Sequence, residues 1–211
     1  KNIKPLDAIC EYIWNGFDAF ATQVEVELNR NKMGLINMIT IRDNGCGINY
    51  DELKYKFQPF NDSKKANASQ KTNHTLPHGR KGIGRLTFFA FSQTARWDTV
   101  YRKDGDTYEY YISMNKDSLN QYDDNGEKLP YKVEKLTGTK VSFTQLESME
   151  KEDIINKIKE EFFWFLELNK ENDYKIIVDK ECIDYSDFVE HTENMDVSKY
   201  GCKEMYDVRF V

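Results

Sequence analysis

Histidine and paired cysteine are both scarce in this chain of 211 residues. The three histidines (His74, His78, His191) are scattered, and the four cysteines (Cys10, Cys46, Cys182, Cys202) show no CxxC spacing and no histidine at ligand distance. That excludes a metal-ligand set legible from spacing and a disulfide scaffold; the thiols read as reduced, in a cytoplasmic protein. No apolar run approaches the roughly 20 residues that span a bilayer. No signal peptide, internal repeat or low-complexity segment is visible. A positive balance is missing too. The net charge of −6 argues against a chain that coats nucleic acid without specificity. An initiating Met is absent, and the last residues, Arg209-Phe210-Val211, look like a strand in progress, so the chain reads as an excised piece of a longer protein.

The length suits one domain, or one domain and the start of another, with room for a sizeable core. The 13 Tyr and 13 Phe argue against disorder. Charge is unevenly placed. From Ser63 to Thr87 there is no Asp or Glu, while Lys64, Lys65, Lys71, Arg80, Lys81 and Arg85 all fall there. A basic island in an acidic protein suits a small polyanion such as a nucleoside triphosphate; alone, it is equally a solvated loop.

Residues 4–20 read as a helix, with Pro5 in the first turn and Asp7 at its positive end. Leu6, Ile9, Ile13, Phe17 and Phe20 form its core face. Glu11, Asn15 and Asp18, at i, i+4 and i+7, share the opposite face. Gln23–Asn29 alternates polar and apolar residues, and Leu35–Arg42 follows after a short turn, so the two strands read as an antiparallel pair. Residues 50–58 read as a short helix. Residues 60–81 are polar and without period, the composition of a lid or a disordered segment. Gly82–Ser92 reads as a glycine turn entering a buried helix. Ala95–Arg102 and Thr107–Met114 flank Asp104-Gly105, a hairpin signal. Thr139–Gln145 is a strand, Glu150–Leu168 a long amphipathic helix, and Tyr174–Val178 and the tail from Phe188 strands or strand starts. Early strands joined by hairpins rather than helical crossovers argue for a two-layer α/β sandwich over a doubly wound sheet.

Three further stretches carry chemistry. Gly79-Arg80-Lys81-Gly82-Ile83-Gly84-Arg85 fits GxxGxG before a helix, where backbone N–H groups approach phosphates closely. It is neither a Rossmann fingerprint nor a Walker loop, since no strand precedes it and no GK[ST] follows at the required spacing. Asp43-Asn44-Gly45-Cys46-Gly47-Ile48 closes a strand; a buried carboxylate there accepts a hydrogen bond from an exocyclic amine, although Asp-Asn-Gly by itself means only a turn. Gly138-Thr139 opens the late strand with a hydroxyl, which alone is only a good strand former.

Together, ExxxNxxDA, DxGxGI, GxxGxG and the later GT resemble the GHKL ATPase superfamily, which includes the DNA gyrase B subunit, the ninety-kilodalton heat-shock chaperones, MutL, the MORC ATPases and the histidine kinases. The resemblance covers about residues 5–145, and GRKGIGRL looks closest to MORC-like or chaperone-like bacterial ATPases. It implies the Bergerat α/β (α+β) two-layer sandwich, with a mixed, mostly antiparallel sheet and helices on one face. It also implies an ATP-binding domain over 1–170, a lid at about 60–85, and a C-terminal extension over 171–211 that starts a following domain. By resemblance Glu11 would be the general base that polarises water, Asn15 a magnesium ligand, and Asp18 a second acid that orients water or holds the pocket. Asp43 would read the adenine amine, with Gly45, Gly47 and Ile48 lining the base pocket and Thr139 completing it. Lys81, Gly82, Ile83 and Gly84 would hold the phosphates, with Lys81 on the γ-phosphate and Lys64 and Lys65 as weaker candidates.

The implied ligands are ATP or ADP with Mg2+, and the implied activity is slow hydrolysis acting as a conformational switch. The implied partners are a downstream domain and, in the full-length parent, a second copy; the segment that superfamily members exchange between subunits is not seen here. Two other readings stand beside this one. Phe57-Gln58-Pro59-Phe60 resembles the phenylalanine-rich box of histidine kinases, whereas Glu11, which a kinase does not need, favours an ATPase. A nucleotide-gated binding module without turnover is the third.

Overall fold

The computed structural model of the chain describes residues 3–53, 57, 84–118, 123–124, 130–189, 193–196 and 207–210. Helix α1 spans Pro5–Asp18, with Pro at its start where no intrahelical N–H is needed. Strands β1 (Gln23–Arg30) and β2 (Ile36–Asp43) follow as an antiparallel pair. After a 3-10 helix over Gly84–Ala90 come β3 (Ser92–Lys103) and β4 (Asp106–Asn115). Asp104 and Gly105 both take positive φ (53° and 89°) between them, the turn that the right-handed twist of a two-residue hairpin requires. The short strands β5 (Asp123–Asp124) and β6 (Tyr131–Val133) both pair with β4. Then come β7 (Gly138–Leu146), helix α2 (Lys151–Leu168), β8 (Lys175–Val178) and β9 (Glu181–Cys182). Strands β10 (Glu193–Asp196) and β11 (Asp207–Phe210) form a separate antiparallel pair.

The main sheet runs β5-β4-β3-β7-β2-β1-β8-β9, with β6 beside β4. Every pairing in it is antiparallel except β1 with β8, where Val24 faces Ile176 and Val26 faces Val178. This is the mixed, mostly antiparallel sheet expected. It is one-sided by alternation. Val24, Val26, Ile39, Ile41, Trp97, Val141 and Phe143 point to one face and are buried. Their neighbours Glu25, Arg42, Arg96, Asp98 and Lys140 point to the other, where Asp98 pairs with Arg96 at 2.8 Å and Lys140 at 3.6 Å. Both helices share the apolar core. Tyr12 of α1 meets Phe143 edge-on at 4.7 Å, and Trp14 stacks on Phe162 of α2 at 4.5 Å. Lys157 of α2 joins Asp7 of α1 at 3.0 Å, tying the helices together along their exposed edge.

The structure corrects two local expectations. The helix expected over Gly82–Ser92 is not α-helical where it is described: Gly84–Ala90 is 3-10 and Ser92 already begins β3. The cause is tertiary, because the Phe88 N–H donates to the Tyr12 hydroxyl of α1 (3.2 Å) rather than to a carbonyl four residues back. Over 50–58 the described residues open with a 3-10 turn at Tyr50–Glu52, capped by the Asn49 side chain accepting from the Asp51 N–H, and Leu53 is helical, its carbonyl accepting from the Phe57 N–H at 2.9 Å. Phe20 is not a core residue. It lies past the end of α1 with φ 62° and stays 73 % exposed. The sheet also continues beyond residue 170, since Ile176 and Val178 of β8 are fully buried against β1.

Candidate functional site

Four stretches that are distant in sequence meet at one end of the sheet. Asp43 ends β2, and its Oδ1 accepts from the Gly45 N–H at 2.8 Å and the Thr139 N–H at 3.3 Å. The other carboxylate oxygen accepts nothing among the described residues. Burial pushes the Asp43 carboxyl up to about 6, and the two backbone N–H bonds only partly offset it. The group is therefore a desolvated carboxylate with one committed oxygen and one spare acceptor.

Helix α1 is seated directly on this carboxylate. A Cβ on Gly16 would lie 2.9 Å from Val24 Cγ2 and 3.0 Å from Asp43 Cβ. The Cys46 N–H donates to Ala19 O at 2.8 Å, which pins the end of the helix to the turn. Asn44 braces the turn from below: its Oδ1 accepts from the N–H groups of Thr22 (2.9 Å) and Gln23 (3.0 Å). Asn15, adjacent to Gly16, and Glu11, one turn back and about 6 Å along the axis, are both half-buried on α1; Asp18 is exposed at its last residue. The shared helical face is thus present, and the contact of Gly16 with Asp43 sets its distance from the carboxylate.

The remaining wall comes from β3, β4 and β7. Gly47 has φ 74°, and a Cβ there would fall 2.1 Å from Val100 O, so only glycine lets the turn lie against β3. The Ile48 N–H donates to Thr99 Oγ1 at 2.9 Å, and the Tyr110 hydroxyl donates to Ile48 O at 3.0 Å. Thr99 Oγ1 lies 3.2 Å from Thr139 Oγ1. Gly138, with φ 148°, brings β7 so close to β2 that a Cβ would meet Asp43 O at 2.3 Å.

Asp43, Gly45, Gly47, Ile48 and Thr139 are therefore brought together, with Asn15 and Glu11 on the helix beside them. Gly84 opens the 3-10 helix that packs on α1. Lys81, Gly82, Ile83, Lys64, Lys65, the region read as a lid from 60 to 83, and Gln58 to Phe60 of the kinase-like box lie outside the described residues; Phe57 is buried 5.2 Å from Trp97. Gly16, Asn44, Thr99 and Tyr110 belong to the site without having been singled out. A glycine inside a helical pattern was a usable signal for Gly16. Thr99 carried none, because threonine is ordinary in a strand.

A cleft of about 460 Å³ touches Asp43 and Thr139 but is lined also by Arg42, Asp98, Glu109 and Lys140. Those side chains mark the helix-free face, so this cleft lies across the sheet from the Thr99–Thr139 pair. Among the described residues no group of three or more His, Cys, Asp or Glu is clustered to hold a metal, and no helix is long and apolar enough to cross a membrane.

A one-sided α/β sandwich, with a desolvated carboxylate at a strand end beneath a helix bearing Glu and Asn, defines the Bergerat class of ATP-binding fold. The chain belongs to the family described as histidine kinase-, DNA gyrase B- and HSP90-like ATPases, whose model matches residues 3–159. Membership implies ATP binding. Shorter stretches resemble MutL proteins. One is 44 % identical over 61 residues to MutL protein homolog 1 of Schizosaccharomyces pombe, covering 29 % of this chain and 8 % of that one. Another is 42 % identical over 50 residues to the DNA mismatch repair protein MutL of Enterobacter sp. (strain 638), covering 24 % and 8 %. Escherichia coli O1:K1 / APEC has a MutL matched to the same extent. The matched stretches span 8 % of the length of these curated relatives. These stretches match MutL proteins of the same superfamily.

Proposed function

We propose that this chain binds Mg-ATP at the Asp43 site, hydrolyses it slowly, and acts as a conformational switch within a longer cytoplasmic protein. The observation that carries the reading is the half-committed Asp43 carboxylate beside Thr139, held against α1 by Gly16. Its spare oxygen accepts from an exocyclic amine, and Thr139 stands next to it for the neighbouring ring atom. In this reading Gly45, Gly47 and Ile48 line the base, and Lys81, Gly82, Ile83 and Gly84 hold the phosphates.

The donor chemistry fits magnesium. Mg2+ takes one or two protein oxygens and completes its shell with phosphates and water, and Asn15 offers an amide oxygen on the helical face turned away from the core. When bound, the metal supplies charge neutralisation at the phosphates. Glu11 orients and polarises the attacking water, and Asp18 holds the outer edge of that face. The residues from 60 to 85 exclude bulk water on closure.

The ATP-binding domain, expected to close near residue 170, takes in β8 and β9 in this proposal, and the residues beyond begin the extension. The downstream domain receives the switch, and the full-length parent pairs with a second copy. A water-activating Glu11 has no place in phosphotransfer to a histidine, which favours hydrolysis over a kinase.

Calorimetry with Mg-ATP and Mg-ADP tests binding: saturable binding below millimolar nucleotide is expected, and none at millimolar nucleotide sinks the proposal. Glu11→Ala is expected to keep ATP affinity and lose about 100-fold or more in turnover, the usual worth of a general base. Unchanged turnover removes Glu11 from that role, and no turnover in the parent chain, with or without DNA, leaves a nucleotide-gated module.

A further inference from the structure

We propose that Thr99 is a positioning residue for base selection: by donating its hydroxyl proton to Thr139 Oγ1, it turns Thr139 into a hydrogen-bond donor toward the ligand. The inference rests on the proposed binding of ATP at Asp43 and deepens it.

Thr99 is fully buried in β3, directly across from Thr139 in the β3–β7 pairing. Its hydroxyl has one proton and two lone pairs. One lone pair is taken by the Ile48 N–H at 2.9 Å. The proton then has two acceptors in reach, Thr139 Oγ1 at 3.2 Å and Gly138 O at 3.4 Å. The two choices leave opposite chemistry at the ligand. If Thr99 donates to Gly138 O, its second lone pair takes the Thr139 proton, and Thr139 shows the ligand only lone pairs. Beside the Asp43 carboxylate, the site then presents two acceptors and suits a ring edge with two adjacent donors, as in guanine. If Thr99 donates to Thr139 Oγ1, the Thr139 proton turns outward, directly or onto a water. The site then presents an acceptor and a donor, matching the exocyclic amine and adjacent ring nitrogen of adenine.

The 3.2 Å contact with Thr139 is made in both arrangements; what separates them is Gly138 O, which at 3.4 Å is a long acceptor for a hydroxyl proton, and this favours the second. Thr139 is itself held in place, since its backbone N–H donates to Asp43 Oδ1. Thr99 thus joins the glycine turn and the late strand through one oxygen, without touching the base.

The test compares ATP with 1-deaza-ATP, which keeps the amine and lacks the ring acceptor, in binding to the wild type, Thr99→Val, Thr99→Ser and Thr139→Val. The wild type is expected to prefer ATP by about fivefold to tenfold, the worth of one such hydrogen bond. Thr99→Val is expected to lose most of that preference, and Thr99→Ser to retain it. A purely structural Thr99 lowers both affinities together and leaves their ratio intact, which overturns the proposal. Thr139→Val keeps the test decisive even if Thr99→Val does not fold: it should abolish the preference, and a preserved ratio there also overturns the assignment. A wild type that binds neither nucleotide sinks the ATP reading, and this one with it. A wild type that binds both equally sinks this one alone.

Discussion

Asp43 shows what one buried carboxylate costs and what it offers. Its pKa rises on folding from an ordinary 3.8 to about 6, because desolvation outweighs two backbone N–H bonds. An acid with a raised folded pKa binds its proton more tightly folded than unfolded. Stability from this group is therefore full below about pH 4, falls as pH rises from about 4 to about 6, and stays reduced above that. The loss is roughly 3 kcal/mol at neutral pH. Asp43→Asn keeps an oxygen for the Gly45 and Thr139 N–H groups and removes the charge. It is expected to melt several degrees above the wild type at pH 7.5, with the gap closing toward pH 4. The same variant presents an N–H to the ligand amine, so ATP affinity should fall by at least tenfold, as for a lost charge-assisted bond. In the wild type, ATP affinity should drop below about pH 6, where the spare oxygen gains a proton. Melting curves and titrations across pH 4–8 read both effects. By contrast, Cys10 is pushed up to about 12 by burial and is an inert thiol at any of these pH values.

At the scale of elements, the glycines divide by what surrounds them. Gly47 and Gly138 sit where a Cβ would strike the backbone of a neighbouring strand, while Gly34 and Gly105 have positive φ with nothing within 4 Å. Gly34→Ala and Gly105→Ala are expected to cost about 1 kcal/mol each, from backbone strain alone. Gly47→Ala and Gly138→Ala should cost several-fold more, since overpacking of about 1–3 kcal/mol adds to that strain, and should abolish ATP binding by moving the turn off β3 or β7 off β2. Denaturant unfolding ranks the four, and equal losses would remove the close-approach argument. The turn and hairpin glycines look alike in sequence; only the strand lying behind two of them sets them apart. Likewise the apolar run after Gly84 was readable as buried, but its 3-10 form comes from a hydrogen bond to Tyr12, 76 residues away in sequence.

At the scale of the whole molecule, the one parallel pairing among the described residues of the main sheet ties its far edge to the core. Strand β8 lies beside β1 and contributes Ile176 and Val178 to the core. Asp179, just past it, accepts from the Leu28 N–H at 2.8 Å and pairs with Lys151 of α2 at 2.9 Å. A chain cut after residue 170 loses these contacts and leaves β1 as an open sheet edge. Each buried aliphatic side chain lost removes about 1.5–3 kcal/mol, so a 1–170 chain is expected to unfold at markedly lower temperature than a 1–189 chain or to aggregate. Equal melting temperatures would place the domain boundary at 170 after all.

The sequence by itself determined what is local in origin. Alternation marked the strands and their buried face, the i, i+4, i+7 spacing put Glu11, Asn15 and Asp18 on one side of α1, and Asp104-Gly105 marked a hairpin. Each depends on neighbours within one or two turns of chain, so each is written in short-range pattern. The four motifs, taken together, also pointed to the right superfamily. Only the tertiary structure decided that Gly16 seats α1 on Asp43, that Thr99 faces Thr139 across β3 and β7, and that β8 enters the sheet beside β1. These depend on register between segments tens to over a hundred residues apart. That register follows from burying the sheet's apolar face under both helices at once, a condition no single stretch of the chain can express.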